Sequence, residues 1–384
     1  MGEYQYYEFL AIDRPLTWDE MAALRALSTR ARITPVSFTN EYHWGNFKGD
    51  PTELMKRYFD AHVYVANWMT AIFMVRVPMD CLTQQTAEAI AVADYLEITS
   101  STTHWIIRWC LEESENYDRF GMEDGPGWMA RLAPVRDELL RGDLRSLYIG
   151  WLAAVGDRKM DDEAVEPLSV SGLGNLTAAQ QTLAEFLEVD PDLLAGAGMG
   201  SPPAQEAGVS QREMEKWIDT LPRDEVHSIL KQLLEGNGQK AQRSVRSRFA
   251  SWRRTFQTGD TETPRRAVAE LRRNAEKARQ LRLEKEKQEQ RQQEHKRRKR
   301  HRAYLETLSK DFPKAWALVK ERVERGSGLG YDEACRVLVD LAEAYALFAT
   351  IKEFQEELKK FMAGHMRRKA FMERLVKAGL WKEK

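Results

Sequence analysis

The feature that most constrains this chain is a stretch of 19 residues, Glu284 to Arg302, that contains no apolar side chain. An element without an apolar face has nothing to bury, so packing against a core cannot hold it in place. A helical pattern surrounds this bare segment, with Thr263 as a cap, Pro264 as the first residue and Ser309 near the end. We therefore predict one long helix standing in water, about 70 Å long at about 1.5 Å per residue.

Opposite charges at helical spacing can stabilise such a helix without a core. Pairs of acidic and basic residues three or four positions apart each contribute about 0.2–0.5 kcal/mol. The sequence offers six of them: Arg266–Glu270, Arg272–Glu276, Arg282–Glu286, Lys285–Glu289, Glu284–Lys287 and Glu294–Arg297.

Charge is distributed very unevenly along the chain, although the net charge is only −1. Between Lys240 and Arg302 there are 22 Lys or Arg residues against 8 Asp or Glu, and the remainder holds 36 against 51. A chain polarised in this way can attract a polyanion along one element while the rest repels it.

The densest group of cations lies at the end of the bare segment, and we call it the cation cluster: Lys296, Arg297, Arg298, Lys299, Arg300 and Arg302. Six cations on under two helical turns surround the helix instead of forming one face. Contact with several phosphates would release counterions and give strong, salt-dependent binding without sequence preference. The plainer interpretation is a solvated helix whose cations keep it soluble.

A second basic group mixes arginines with aromatic residues. Its aromatic members are Phe249, Trp252 and Phe256, and such a mixture can stack on bases. More often the aromatic rings belong to a core from which the arginines extend. The arginines concerned are Arg243, Arg246, Arg248, Arg253 and Arg254.

The N-terminal part, residues 1–125, is predicted to be an α+β domain. Its two helices begin at Thr17, with Glu20 completing a capping box, and at Asp50, the second running through Val63. We expect a small antiparallel or mixed sheet with helices on one face, at a spacing compatible with a ferredoxin-like arrangement. The predicted strands are Tyr4–Asp13, Arg32–Tyr42 with a bend at Pro35, Ile72–Val77, Leu96–Ser100 and His104–Leu111.

The rest of the chain reads as mostly α-helical, so the fold class is an α+β domain followed by a helical C-terminal half with a long charged helix. A glycine- and proline-rich stretch suggests a boundary near residue 200. A second capping box, Ser210 with Glu213, opens the next helix. The predicted divisions are 126–195 as a helical extension, 196–209 as a linker, 210–262 as a helical segment, 263–310 as the long charged helix and 311–384 as a helical hairpin or bundle.

Cysteine content and hydropathy bear on the compartment. Cys81, Cys110 and Cys335 are odd in number and far apart, which is typical of a reducing environment. No run approaches 18 consecutive apolar residues, and the first ten residues lack a signal-peptide core. We expect a cytoplasmic protein with no membrane contact and no cofactor.

Two stretches resemble known families. The runs Tyr6–Leu16, Ser28–Pro35 and Asn40–Trp44 resemble a family of bacterial proteins of unknown function. Residues 221–380, with Tyr331–Ala334 and Lys377–Leu380, are similar to the helical region of some bacterial SWIM zinc-finger proteins. That resemblance implies a helical architecture and a nucleic-acid-linked setting. It carries over no metal site, because the required Cys-x-Cys and Cys-x-His pairs are absent.

Three functional hypotheses follow. The first is a non-enzymatic binding or scaffold protein whose basic helix contacts nucleic acid or an acidic protein surface, with another protein subunit as a further partner. The second is an enzyme whose site uses the polar residues among aromatic residues between Asp13 and His62, including His43 beside Glu41. The commoner role for such a histidine is structural, with the ring held by hydrogen bonds, and the same applies to His104. The third is a structural spacer between domains.

Overall fold

The computed structural model describes residues 3–112, 125–157, 159–203, 211–236, 238–257 and 265–382. The chain divides into two units, Met1–Leu281 and Arg282–Lys384. The fold class predicted from the sequence is confirmed: an antiparallel sheet occupies the N-terminal part, and the C-terminal half is helical. The predicted cap and first residue of the long helix, Thr263 and Pro264, and the capping residue Ser210 lie outside the described residues.

One seven-stranded sheet organises the N-terminal part, in the order β2-β3-β1-β4-β5-β7-β6. Every described pair of neighbouring strands is antiparallel. A ferredoxin-like sheet would place parallel strands side by side, so that arrangement is not realised. The strands are β1 Gln5–Leu10, β2 Arg32–Thr34, β3 Ser37–Tyr42, β4 Ala61–Ala66, β5 Thr70–Pro78, β6 Leu96–Ser100 and β7 His104–Leu111.

The predicted bent strand from Arg32 to Tyr42 is two strands joined by a tight turn. Thr34 is paired with Ser37 across the turn, and their hydroxyl groups lie 2.7 Å apart. Pro35 cannot donate a backbone hydrogen bond to a sheet, so it sits in the turn and reverses the chain instead of bending it.

A second correction concerns the helix that begins after Asp50. Asp50 caps it as predicted, accepting from the backbone N–H of Thr52 at 2.8 Å, but the helix ends at Arg57. The residues assigned to its continuation form β4, in which every position is buried. A strand buried on both faces lacks the alternation of polar and apolar residues by which strands are recognised, so the sequence pattern did not reveal it.

Both faces of the sheet are covered, whereas helices on one face were predicted. Around one face lie α1 Trp18–Leu27 and α2 Pro51–Arg57, which contribute Leu24 and Met55 to a core with Phe9 and Phe38. The core on the opposite face of the sheet contains Phe73 and Trp109. Most of the remaining helices of this unit contribute residues to it. Those helices are α3 Gln84–Ile90, α4 Trp128–Leu132, α5 Pro134–Leu140, α6 Arg145–Gly156, α7 Ala178–Phe186 and α8 Pro191–Met199.

Helix α6 is the central helix of that second core, and nearly all of its residues are buried. The Trp109 indole on β7 donates a 3.0 Å hydrogen bond to the carbonyl of Ser146 at the start of α6. A Cβ atom at Gly150 would lie 2.6 Å from the same indole ring, so only glycine lets α6 lie this close to the sheet.

Three helices follow α8: α9 Gln211–Thr220, α10 Arg223–Leu234 and α11 Gly238–Gln257. The predicted linker 196–209 begins within α8, and its residues 204–209 lie outside the described ranges. The other predicted boundaries stay predictions, and the division into units falls much later, between Leu281 and Arg282.

The long helix is confirmed as α12, Val268–Ser309, which is 42 residues long. Its first turns belong to the core of the first unit, where Val268 and Leu271 are fully buried. Just before it, Arg266 donates from Nε to Glu166 at 2.8 Å, and Glu166 accepts a 2.6 Å hydrogen bond from the Tyr148 hydroxyl.

The second unit builds its own core from α13 Phe312–Glu324, α14 Gly328–Phe348, α15 Ile351–Ala363 and α16 Lys369–Lys377. Helices α13 and α14 run antiparallel, since Phe312 at the start of α13 stacks on Tyr345 near the end of α14 and Arg322 near the end of α13 pairs with Glu333 near the start of α14. Thr350 forms a capping box with Glu353 at the start of α15.

The close approach of α8 to α12 yields the first prediction. A Cβ at Gly196 would lie 2.4 Å from the backbone nitrogen of Ala275, so Gly196→Ala must push the two helices apart. We expect a loss of about 1–3 kcal/mol in the free energy of unfolding, measured by urea denaturation.

Gly156→Ala on α6 is the matched control for this substitution. Its Cβ would meet only a Leu193 methyl at the ordinary distance of 3.7 Å. The control is expected to keep or slightly raise stability, by up to about 1 kcal/mol. Equal behaviour of the two variants would contradict the close-approach argument.

Candidate functional site

The bare segment is helical and stands in water. It lies wholly within α12, and every residue from Leu281 to Tyr304 is exposed. Burial resumes only at Leu305, which is 1% exposed. The prediction that nothing in this stretch is buried is confirmed.

Contacts at the end of the bare segment tie it to the second unit. The ring of His301 lies 2.7 Å from a carboxylate oxygen of Glu343 on α14, and the Tyr304 hydroxyl bonds to Asp340 one turn away. Burial and that aspartate raise the pKa of Tyr304 above its usual value. Residues 296–300, which hold five of the six members of the cation cluster, precede these contacts, and Arg302 lies between them; all six are exposed.

Some of the six predicted pairs of opposite charges along the long helix are formed. Arg282 and Glu286 are joined at 3.0 Å, and Lys285 and Glu289 at 4.0 Å. Glu294 pairs with Arg298 four positions on, at 2.5 Å, instead of with the predicted Arg297.

Two arginines of the predicted ion pairs at the start of the long helix pair with other carboxylates. Arg266 bonds to Glu166 rather than to Glu270, and Arg272 pairs with Asp162 rather than with Glu276. Both arginines therefore hold the start of α12 to the loop that contains Asp162 and Glu166 in the first unit. These carboxylates replace the acidic residues of α12 as partners.

Five members of the cation cluster keep their charge unpaired within the described part of the chain. No described carboxylate lies within 4.0 Å of them, whereas Arg298 alone pairs with Glu294. The five are Lys296, Arg297, Lys299, Arg300 and Arg302. A dense set of exposed cations without local counter-charges produces a strong positive potential around the helix.

The second basic group is arranged differently. Phe249 on α11 lies 5.3 Å from the ring of Trp217 on α9 and 5.8 Å from that of Trp252. The rings contact one another and Trp217 is buried, so the geometry favours a small core over a surface for stacking bases.

Two of the three arginines of this group whose side chains are described have acidic partners. Arg248 pairs with Glu225 on α10, and Arg253 lies 3.8 Å from Glu213 on α9. Arg246 is exposed. The side chains of Arg243, Arg254 and Phe256 lie outside the described residues. Two of the arginines predicted to bind a partner, Arg248 and Arg253, thus join α11 to α10 and α9.

The polar residues that suggested an enzyme do not come together. His43 follows Tyr42, whose partner is Gln5 at the start of β1, whereas Asp13 follows the other end of that strand. His62 is buried and stacked on Phe9, with ring centroids 3.9 Å apart. Burial lowers the pKa of His62 to about 3, so its ring is neutral.

A different polar group, missed in the sequence, lies at the Asp13 end of the sheet: Asp13, Asp60, Arg76 and Arg136, here called the buried charge cluster. Asp60 accepts from the backbone N–H groups of Ile12 and Asp13 at 2.7 and 2.8 Å and from the Arg76 guanidinium at 2.7 Å. Arg136 bonds to the carbonyl of Arg76 and to Asp13, both at 2.7 Å. This cluster joins β1, β4, β5 and α5.

Electrostatics keep the Asp60 carboxyl group ionised. Burial alone would raise the pKa of Asp60, but Arg136, Arg76 and the backbone donors outweigh it and hold the pKa below its usual value. His104 lies beside the cluster, and burial together with Arg76 lowers its pKa. Its Nδ1 lies 2.7 Å from the Thr103 hydroxyl, as expected of a structural histidine.

Two further features that could suggest chemistry, the Cys110 thiol and the glycine-rich run from Gly326 to Gly330, have structural explanations. Burial raises the pKa of the Cys110 thiol to about 12, so it is not a nucleophile at neutral pH. Ser327 caps α14 by accepting from the backbone N–H of Gly330 at 3.1 Å, so Gly326 and Ser327 lie in the turn before α14, whereas Gly328 and Gly330 belong to its first turn.

Comparison of the chain with protein-family models, with curated proteins and with solved structures found no match. The two resemblances noted in the sequence stay predictions. Among the helices in the described ranges, none is both long and apolar enough to cross a membrane.

The buried charge cluster leads to a prediction on stability. Asp60→Asn removes the anion that balances two nearly buried guanidinium groups, so we expect a loss of about 3–5 kcal/mol at pH 7. Because the folded pKa of Asp60 is lowered, the carboxylate stabilises the fold above the ordinary pKa and ceases to do so as the pH falls through the folded value.

Urea unfolding at a series of pH values tests this assignment. The difference between wild type and variant should be full at pH 7 and should shrink below about pH 4. Glu53→Gln, which breaks only exposed pairs with Lys56 and Arg57, is the control and should cost about 1 kcal/mol or less. A pH-independent difference would show that the charge of Asp60 is not responsible.

Proposed function

We propose that this protein is a non-enzymatic binding protein whose cation cluster contacts a polyanion. The observation that carries the proposal is the set of five exposed cations without a described carboxylate neighbour. A helix whose cations were already neutralised by its own chain would gain little from an external anion. Here the counter-charge is supplied by solution ions, and their release on binding favours association.

Three positions support the proposal most directly. Lys296, Lys299 and Arg300 have no acidic residue three or four positions away in either direction, so no side chain of the same helix is placed to pair with them. They are also exposed. Nothing in the described structure competes with an incoming anion at these positions.

The second set of arginines has a smaller part in this proposal. Arg248 and Arg253 are engaged by Glu225 and Glu213. Arg246, exposed on α11, remains as an auxiliary contact.

The spacer hypothesis is the second candidate, because α12 passes through the division between the two units at Leu281 and Arg282. A spacer needs only that the helix persists. It makes no use of the sign of the exposed charges, so reversing them distinguishes the two candidates.

The charge-reversal test uses a triple substitution, Lys296→Glu, Lys299→Glu and Arg300→Glu. We expect binding to a polyanion such as heparin or duplex DNA to weaken at least ~100-fold at 100 mM salt. The melting temperature should not fall, since the three side chains are exposed and make no described ion pair.

The matched control reverses three exposed lysines elsewhere in the second unit: Lys359, Lys369 and Lys377. It changes the net charge by the same amount and should bind within about threefold of wild type. For wild type, log Kd should rise with log salt at a slope of about 4–5 if five phosphates are contacted. Equal affinity of wild type and triple variant would favour the spacer.

A further inference from the structure

We infer that the polyanion is B-form duplex DNA, with the bare segment lying in the major groove. This inference rests on the proposed function and specifies its ligand. It depends on three properties of the segment: the directions in which its cations point, its lack of aromatic side chains and its dimensions.

The free cations point to opposite sides of the helix. Successive residues turn by about 100°, so Arg297 and Lys299 project about 160° apart, and so do Arg300 and Arg302. Both sides are exposed along the whole segment. A flat anionic surface, such as an acidic face of a folded protein, could reach only one side at a time. A groove with phosphates along both walls reaches both.

The dimensions agree with that geometry. An α-helix with side chains is about 10–12 Å in diameter, and the major groove of B-form DNA is about 12 Å wide. The 19 residues of the bare segment span about 28 Å, somewhat less than one turn of the duplex at about 34 Å. Every residue of the segment is exposed, and its described contact with the packed helices of the second unit, that of His301 with Glu343, lies near its C-terminal end.

Single-stranded nucleic acid is a poorer ligand for this surface. Proteins that bind single strands stack the bases on aromatic side chains, and the bare segment contains none. The next aromatic residue, Tyr304, is 46% exposed, but its hydroxyl is bonded to Asp340. On α11, the ring of Phe249 packs on those of Trp217 and Trp252.

Duplex RNA is disfavoured for a different reason. The major groove of an A-form helix is deep and narrow, which excludes an α-helix. The phosphates of duplex RNA are as dense as those of DNA. A preference for DNA over RNA duplexes would therefore report groove geometry and not charge.

The test measures binding of the full chain to four fluorescent probes at 100 mM salt: a 20-bp DNA duplex of mixed sequence, its single strand, the equivalent RNA duplex and poly-glutamate. We expect the DNA duplex to bind at least tenfold more tightly than each of the others. The triple variant at Lys296, Lys299 and Arg300 should lose this preference, and the Lys359, Lys369 and Lys377 control should keep it.

Groove competition supplies the second measurement. Methyl green, which occupies the major groove, should displace the protein, whereas the minor-groove ligand netropsin should not. Single-stranded DNA, RNA duplex or poly-glutamate bound as tightly as duplex DNA would overturn the inference while leaving the proposed polyanion binding intact. Failure to bind any of the four probes would overturn both.

Discussion

The whole arrangement depends on a helix whose middle cannot be buried and which is therefore ordered from its two ends. Starting a helix is costly and extending one is not. The start of α12 is fixed by Val268 and Leu271 in the core of the first unit and by the Arg266–Glu166 pair just before it. The last turns are fixed in the second unit by Leu305. Between these ends, the ladder of opposite charges needs only to sustain the helix.

The same residue type has two different uses along this helix, and the available carboxylates decide which. Arg266 and Arg272 find Glu166 and Asp162 in the loop of the first unit and become part of its structure. Arg297 and Arg300 find none within the described residues. Arginine content alone therefore could not separate structural cations from binding cations, because the difference lies in contacts made across 100 and 110 positions of sequence.

Several local signals were read correctly from the sequence, and the distant contacts were not. The capping box of Thr17 and Glu20 and the bare segment depend on residues within a few positions, so they are visible in the sequence. The buried charge cluster depends on contacts such as that of Arg136 with Asp13, 123 residues apart. One signal could have indicated it: Arg136 lies at helical spacing from Leu132, Leu139 and Leu140 in the sequence, and it is 1% exposed.

The positions of Asp13 and His43 show how topology limits a functional hypothesis. They are close to the same strand in sequence terms, yet pairing of Tyr42 with Gln5 sends His43 to one end of β1 while Asp13 lies at the other. A polar group among aromatic residues is thus no evidence of a site until the direction of each strand is known. The charged residues that do meet at the Asp13 end pair with one another, which suits a structural role.

The cation cluster is unfavourable to the helix that carries it, and this is the physical basis for its binding an anion. Lys296 has like charges three and four positions on, at Lys299 and Arg300, and Lys299 has another at Arg302. Each such pair destabilises an isolated helix by about 0.2–0.5 kcal/mol. Packing cannot compensate, because the residues are exposed. A polyanion beside the helix would replace this repulsion with attraction, so binding and helix stability would increase together.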